Sequence, residues 1–242
     1  MIALFTDFGL AGPYTGQMKA VLARAAPGVA VIDLFADAPA QNPKAGAYLL
    51  PPYAGWFPRG SVCLAVVDPG VGSPRRALAV EADGRWYVGP DNGLFEIVLR
   101  RAAVAQAFEI VWRPETLSAS FHGRDLFAPI AARLARGAPL GDTARPVFAA
   151  RHPDWLDDLA EIVYVDTYGN ALTGLRGSVV DPTCEIEIAG HRLRHARTFS
   201  DLPEGASFWY ENSNGLIEVA ANRARADARL GIGIGTPLMW RG

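Results

Sequence analysis

The amino-acid sequence predicts an α/β protein: an N-terminal, mostly parallel sheet flanked by helices, with a smaller C-terminal antiparallel β-barrel-like domain. Two observations carry the prediction. Through the first half, short apolar and β-branched runs alternate with longer stretches of helical periodicity, the pattern of βαβ units. Beyond residue 158 the texture changes to short runs separated by turn residues, as in a small antiparallel barrel or sandwich. Between the halves, residues 141–157 are rich in Pro, Ala, Asp and Arg without firm periodicity and read as a linker. The expected division is 1–140, 141–157 and 158–242.

In chain order, IALFTD (2–7), VAVIDLF (29–35) and VCLAVVD (62–68) are the first strands. Residues 14–28 carry apolar side chains at helical spacing and end in Pro-Gly. Residues 42–57 open with Asn42 as N-cap and Pro43 at the first helical position, so both segments are crossover helices. Residues 76–93 alternate on either side of Asp83-Gly84, the strongest short-range hairpin signal, and extend the sheet antiparallel. Two more helices are predicted within 93–104 and 124–137, the second closed by Gly137. Strands of the second half are expected within 161–169, 184–190, 191–199, 207–215, 216–222 and 231–240.

Of the 242 residues, 50% are hydrophobic and 20% charged, enough for real cores, and the net charge of -2 leaves no basic footprint for a nucleic-acid partner. Small-molecule chemistry is the expectation. Cys63 and Cys184 lie in apolar runs without metal or redox spacing and read as buried thiols. The N-terminus lacks the pattern of a signal peptide and no apolar run reaches membrane-span length, so a cytoplasmic protein without membrane contact is expected.

Asp7, Asp33 and Asp68 fall at or near the carboxyl ends of the first three strands, where ligands bind in open α/β sheets. Such residues also cap helices or hold turns, and that reading is kept for Asp33. The segment DPGVGSPRR (68–76) lacks the Lys-Ser/Thr ending and following helix of a phosphate loop; it is a rigid turn presenting Asp68, with Arg75 or Arg76 able to fold back onto it. His122 stands just before a helix whose first turn holds Asp125, while the other histidines lie in the linker or second domain, so zinc is not expected. DTYGNALTG (166–174) and YENSNGLIEVAAN (210–222) combine aromatic and amide residues at turns, which serve equally as tight-turn chemistry or as a surface for a base and an amino acid.

Six ordered segments carry a resemblance: TDFG, DPGVG with Arg75, GPDNGL, FHGRD with FAP, DTYGN and NSNGLIEVAAN. Together they are similar, over nearly the whole chain, to the S-adenosyl-L-methionine (SAM) hydroxide adenosyltransferases, once called domain of unknown function 62 and related to the SAM-dependent fluorinase and chlorinase. The resemblance implies hydrolysis of SAM at ribose C5′ to adenosine and L-methionine, with no cofactor and no metal. It also implies a homotrimer with sites between subunits. It assigns Asp68, Arg75 and His122 to a catalytic triad and Asp7 to the ribose hydroxyls. Phe121 and Gly123 flank the sugar and sulfonium, and Asp166, Tyr168, Asn170, Ser213 and Asn214 contact methionine and adenine. The chain departs from relatives at Tyr168, often Phe elsewhere, at Gln41, where halogenases use an aromatic, and at Asn214, where they carry a cation near the substrate. Two other readings are a halide-using SAM transferase, against which the triad argues, and a SAM- or adenosine-binding protein without turnover.

Overall fold

The computed structural model describes residues 1–241. Strand β1 (Ile2–Thr6) is buried at every position, as a strand covered on both faces must be. It pairs in parallel with β2 (Val31–Phe35) on one side and with the equally buried β3 (Val62–Val66) on the other. The hairpin of β4 (Ala77–Ala82) and β5 (Arg85–Pro90) turns at Asp83 and Gly84, both with positive φ (48° and 77°), the geometry that matches strand twist. Strands β6 (Ala105–Ile110) and β7 (Ala144–Val147) complete a seven-stranded sheet of order β2-β1-β3-β5-β4-β6-β7. The pairings make β2, β1, β3, β5 and β6 run one way and β4 and β7 the other, so the sheet is mostly parallel.

Helix α1 (Tyr14–Ala25) connects β1 to β2, and α2 (Pro43–Ala54) connects β2 to β3, starting where the Asn42 side chain accepts from Ala45 N at 3.0 Å. Helix α3 (Glu96–Arg101) packs against α2. A five-residue π-helical turn, Gly123–Phe127, feeds α4 (Ala128–Ala135), which ends at Gly137 with φ 75°. Met18 and Leu22 of α1 meet Ile130 and Ala131 of α4 over Ile2, Leu4 and Leu64 of the sheet, forming the main core.

Residues Met1–His152 form one compact unit and residues from Pro153 onward a second. In the second, β8 (Leu159–Val165), β9 (Ala171–Arg176), β12 (Ser207–Glu211) and β13 (Leu216–Ala221) make a sheet of order β12-β13-β9-β8. A three-stranded sheet orders β10 (Glu185–Ile188) between β11 (His191–Leu193) and β14 (Leu238–Arg241), and a short helix α5 (Ala226–Leu230) follows β13. All pairings in this unit's two sheets are antiparallel among the described residues.

Strand β7 falls inside the segment expected as linker, paired with β6. Strand β6 hides in an Ala- and Gln-rich run of weak strand propensity behind the arginines of α3, and β9 follows turn residues and contains Gly174. Neither is visible in the local pattern.

Gly89 on β5 marks where backbone passes closest to backbone: a Cβ there would sit 2.1 Å from the Ala65 carbonyl oxygen and 3.0 Å from the Phe95 ring. Gly89→Ala is expected to lower the stability of the first unit by about 1–3 kcal/mol, measured as a fall in the chemical denaturation midpoint. An unchanged midpoint would contradict this packing.

Candidate active site

The chain leaves β1 toward β2 on one side and returns to β3 on the other, so the carboxyl ends of β1 and β3 flank a crevice where strand order reverses, the expected ligand site of an open α/β sheet. A cleft of about 310 Å³ lies there, lined by Asp7 and Phe8 after β1, Asp68 and Pro69 after β3, and Phe121, His122 and Gly123 before α4. A larger groove of about 550 Å³ runs along β6 and β7, but its lining is Ala, Pro, Leu, Val and Phe148 apart from Gln106 and Arg151. Arg151 is already paired with the buried Glu96 carboxylate. The cluster of carboxylates and imidazole is in the first cleft.

Asp68 and Arg75 form a buried ion pair, their side chains 4% and 9% exposed. Arg75 Nε lies 2.9 Å from each Asp68 carboxylate oxygen, and Nη2 donates to Oδ2 as well. The same Nη2 stands 3.1 Å from His122 Nδ1. A guanidinium only donates, so Nδ1 accepts and the proton of a neutral imidazole rides on Nε2. Burial, and then the Arg75 charge, push the His122 pKa below its ordinary value and so favour that neutral ring. Arg75 is steadied further by Nη1 donating to the Arg76 carbonyl at 3.2 Å and by its position over the Phe127 ring. The ambiguity between the two arginines is resolved, because Arg76 turns away to Asp91, Nε to Oδ2 at 2.8 Å.

Turn chemistry brings these side chains together. Gly72, φ 82°, lets the loop after β3 lie against the segment before His122: a Cβ there would be 2.6 Å from the Ala119 carbonyl oxygen. Asp125 accepts from Ser118 N at 3.0 Å and pairs with Arg124, clasping that segment. Asn92 donates to the Val67 carbonyl at 2.9 Å, pinning the residue before Asp68, and Asp91 accepts from Ala150 N at 3.0 Å. Thus GPDNGL supports the site from below. Sequence reasoning missed these supports, although the motif itself was the signal.

Asp7 faces Asp68 across the cleft, its Oδ2 accepting from Gln41 N at 2.8 Å. Gln41 holds a positive φ of 54°, rare for a residue with a side chain, to deliver that N–H. Burial raises the Asp7 pKa, with Asp68 adding to the effect, against the opposing Gln41 hydrogen bond. The remaining wall is aromatic: Phe8, Tyr14 and Phe121 meet with ring centroids 5.4–5.9 Å apart. Phe8 and Tyr14 were not singled out by sequence. Asp33 pairs with Lys19 outside the cleft, a structural role.

In the second unit, Asp166 organises its own turn, Oδ1 accepting from Tyr168 N and Asn170 N at 2.9 and 2.8 Å and Oδ2 from Asn170 Nδ2 at 3.0 Å. Tyr168 is 77% exposed at the apex. Ser213 and Asn214 occupy the β12–β13 turn, at the opposite end of β13: Ala171 pairs with Val219, whereas Leu216 pairs with Arg176. The six residues Ala171–Arg176 of β9, opposite the four residues Leu216–Val219 of β13, separate the two turns by roughly 15 Å.

A mostly parallel sheet with a carboxylate–guanidinium–imidazole network at its switch point, followed by an antiparallel domain, defines an α/β enzyme acting on a small molecule. The comparisons are specific. The SAM hydroxide adenosyltransferase N-terminal domain matches residues 2–144 and the corresponding C-terminal domain residues 160–239, and the chain belongs to this family. It is 43% identical to the (R)-S-adenosyl-L-methionine hydrolase of Thermus thermophilus, covering 98% of both chains. It is 39% identical to the enzyme of the same name from Salinispora arenicola, over 98% of this chain and 96% of the relative. A crystal structure of an uncharacterised protein from Thermotoga maritima superposes with a TM-score of 0.91 at 29% identity, covering both chains completely.

Because the folded-state pKa of His122 is depressed, the unfolded chain binds this proton more readily. Its contribution to stability is therefore complete above the ordinary imidazole value of about 6.5 and is lost as pH falls through the lower folded value. NMR titration should place the His122 midpoint below about 6.5 with the proton on Nε2, and Arg75→Gln should move it upward. A midpoint at or above 6.5 with the proton on Nδ1 would contradict the geometry.

Proposed function

We propose that the chain hydrolyses SAM, water attacking ribose C5′ in line with the sulfonium and releasing adenosine and L-methionine. The observation that carries the reading is the Asp68–Arg75–His122 network, facing a cleft at the switch point of a chain whose family is SAM hydroxide adenosyltransferase. Both relatives above are named for the R epimer, and we extend that to this chain: the sulfonium of R configuration is the substrate.

A sulfonium is a cationic leaving group and departs as a neutral thioether, so no general acid is needed at sulfur and the reading calls for no metal or cofactor. The C5′–S bond breaks with its electron pair going to sulfur while the C5′–O bond forms. Assistance is required only by the nucleophile. With Nδ1 committed to Arg75, His122 offers an Nε2–H donor to the water oxygen, and Asp68, fixed by two guanidinium nitrogens, takes the proton the water loses. Asp7 holds the ribose hydroxyls, with Phe121 and Gly123 beside the sugar and sulfonium. The Asp68 carboxylate also disfavours a halide at the nucleophile position by charge repulsion. Asp166, Tyr168, Asn170, Ser213 and Asn214 supply contacts to methionine and adenine. These come from a neighbouring copy in a homotrimer, which the family resemblance supports. A cytoplasmic location belongs to the same proposal; the free, buried Cys63 and Cys184 suit a reducing compartment. No described helix is long and apolar enough to cross a membrane.

The test is incubation of the purified protein with each SAM epimer, with and without chloride or fluoride, in heavy-oxygen water. Adenosine labelled at the 5′-hydroxyl plus unlabelled methionine, independent of halide and faster from the R epimer, is expected. A 5′-halogenated nucleoside, or bound but unreacted SAM, would overturn the proposal. Asp68→Asn should lower kcat by about 10²–10⁴-fold, the range for losing a positioned acid–base group, with SAM affinity retained. Wild-type turnover in that variant would remove Asp68 from its role.

A further inference from the structure

Glu218 is a carboxylate in the middle of β13, 6% exposed, where a strand residue of this sheet would ordinarily be apolar. Burying a carboxylate costs free energy that a valine at the same place would not. Its partners suggest what offsets that cost. Oε1 accepts from the Tyr210 hydroxyl at 2.6 Å and Oε2 from Asn212 Nδ2 at 2.9 Å. Asn212, itself buried, turns its other end to the backbone, Oδ1 accepting from Asn214 N at 2.9 Å and Leu216 N at 3.1 Å. The loop closes through Asn212 N to the Leu216 carbonyl at 2.8 Å and Gly215 N to the Asn212 carbonyl at 2.9 Å, with Gly215 at φ 79°.

The two ends of an asparagine amide are nearly the same shape and differ only in donating or accepting. An ionised carboxylate accepts only. Glu218, accepting from Asn212 Nδ2, and the two loop amides, donating to Oδ1, together hold the Asn212 amide in one orientation. We infer that Glu218 is a positioning residue for substrate recognition: by fixing the orientation of the Asn212 amide it sets the shape of the turn whose apex, Ser213 and Asn214, receives the amino-acid end of SAM. This rests on the reading of that turn as a methionine contact. Burial raises the Glu218 pKa, with the Asp166 charge adding to the effect, while the hydrogen bonds from Tyr210 and Asn212 oppose it.

Glu218→Gln keeps the side-chain shape but has one acceptor oxygen where the carboxylate has two, so Tyr210 and Asn212 can no longer both donate to it and the hold on the Asn212 amide from the sheet side is weakened. The expected result, by titration calorimetry on the full chain, is an affinity for SAM weakened about tenfold or more, with adenosine affinity unchanged within about twofold. The double variant Glu218→Gln/Asn212→Asp should restore SAM affinity, because the introduced amide then donates to the introduced carboxylate, whose other oxygen still accepts from the loop. Wild-type SAM affinity in Glu218→Gln would overturn the inference. So would an equal loss of SAM and adenosine affinity with a lowered unfolding temperature that the double variant fails to restore, the mark of a purely structural residue. A wild-type chain that binds SAM without releasing adenosine would refute hydrolysis, yet leave this comparison of affinities decisive.

Discussion

Almost everything in the first unit's cleft is arranged around the guanidinium of Arg75. Its donors are divided among the Asp68 carboxylate, the His122 ring nitrogen and the Arg76 carbonyl, and its carbon lies over the Phe127 ring. A buried pair of this kind is expensive to assemble and more so to break: removing one member and leaving the other unpaired costs about 3–5 kcal/mol. The surrounding turns keep the three groups in register. Gly72 allows two backbones to touch, Asn92 pins the end of β3, and Asp125 clasps the segment before His122. What results is a carboxylate with a fixed direction and an imidazole with a fixed tautomer, both prepared before any substrate arrives.

The two units solve different problems by the same device. In each, a carboxylate withdrawn wholly or partly from water fixes the groups that donate to it. In the first unit Asp68 holds the Arg75 guanidinium, which in turn sets the His122 tautomer. In the second the device serves a turn through Glu218 and Asn212, and a second turn through Asp166. The aromatic wall of Phe8, Tyr14 and Phe121 supplies the apolar complement, suited to a ligand that carries a positive charge beside a flat ring.

Much of this was legible in the sequence where local chemistry speaks for itself. Asn42-Pro43 announces α2, Asp83-Gly84 announces a primed turn, and continuous apolar runs ending in Asp announce β1 and β3 with their site-facing ends. The residues proposed for catalysis were found through motifs, and the structure places Asp68, Arg75 and His122 in contact although 47 positions separate the last two. Long-range consequences were not legible. Nothing local distinguishes Arg75 from Arg76, and only the fold sends one to Asp68 and the other to Asp91. Strands β6 and β7 owe their existence to the open edge beside β4, which no window of sequence contains. Glu218 is missed because alternation in LIEVAAN reads as a strand whether or not its glutamate is buried.

The central claim is that Asp68 and His122 act as one unit through Arg75. A double-mutant cycle of Asp68→Asn, His122→Asn and the pair together, read as kcat/KM for SAM, tests it most directly. If the network is a unit, the double variant loses about as much activity as the worse single variant. If instead the two losses multiply, the residues act independently, and the account of a shared, Arg75-centred machine is wrong.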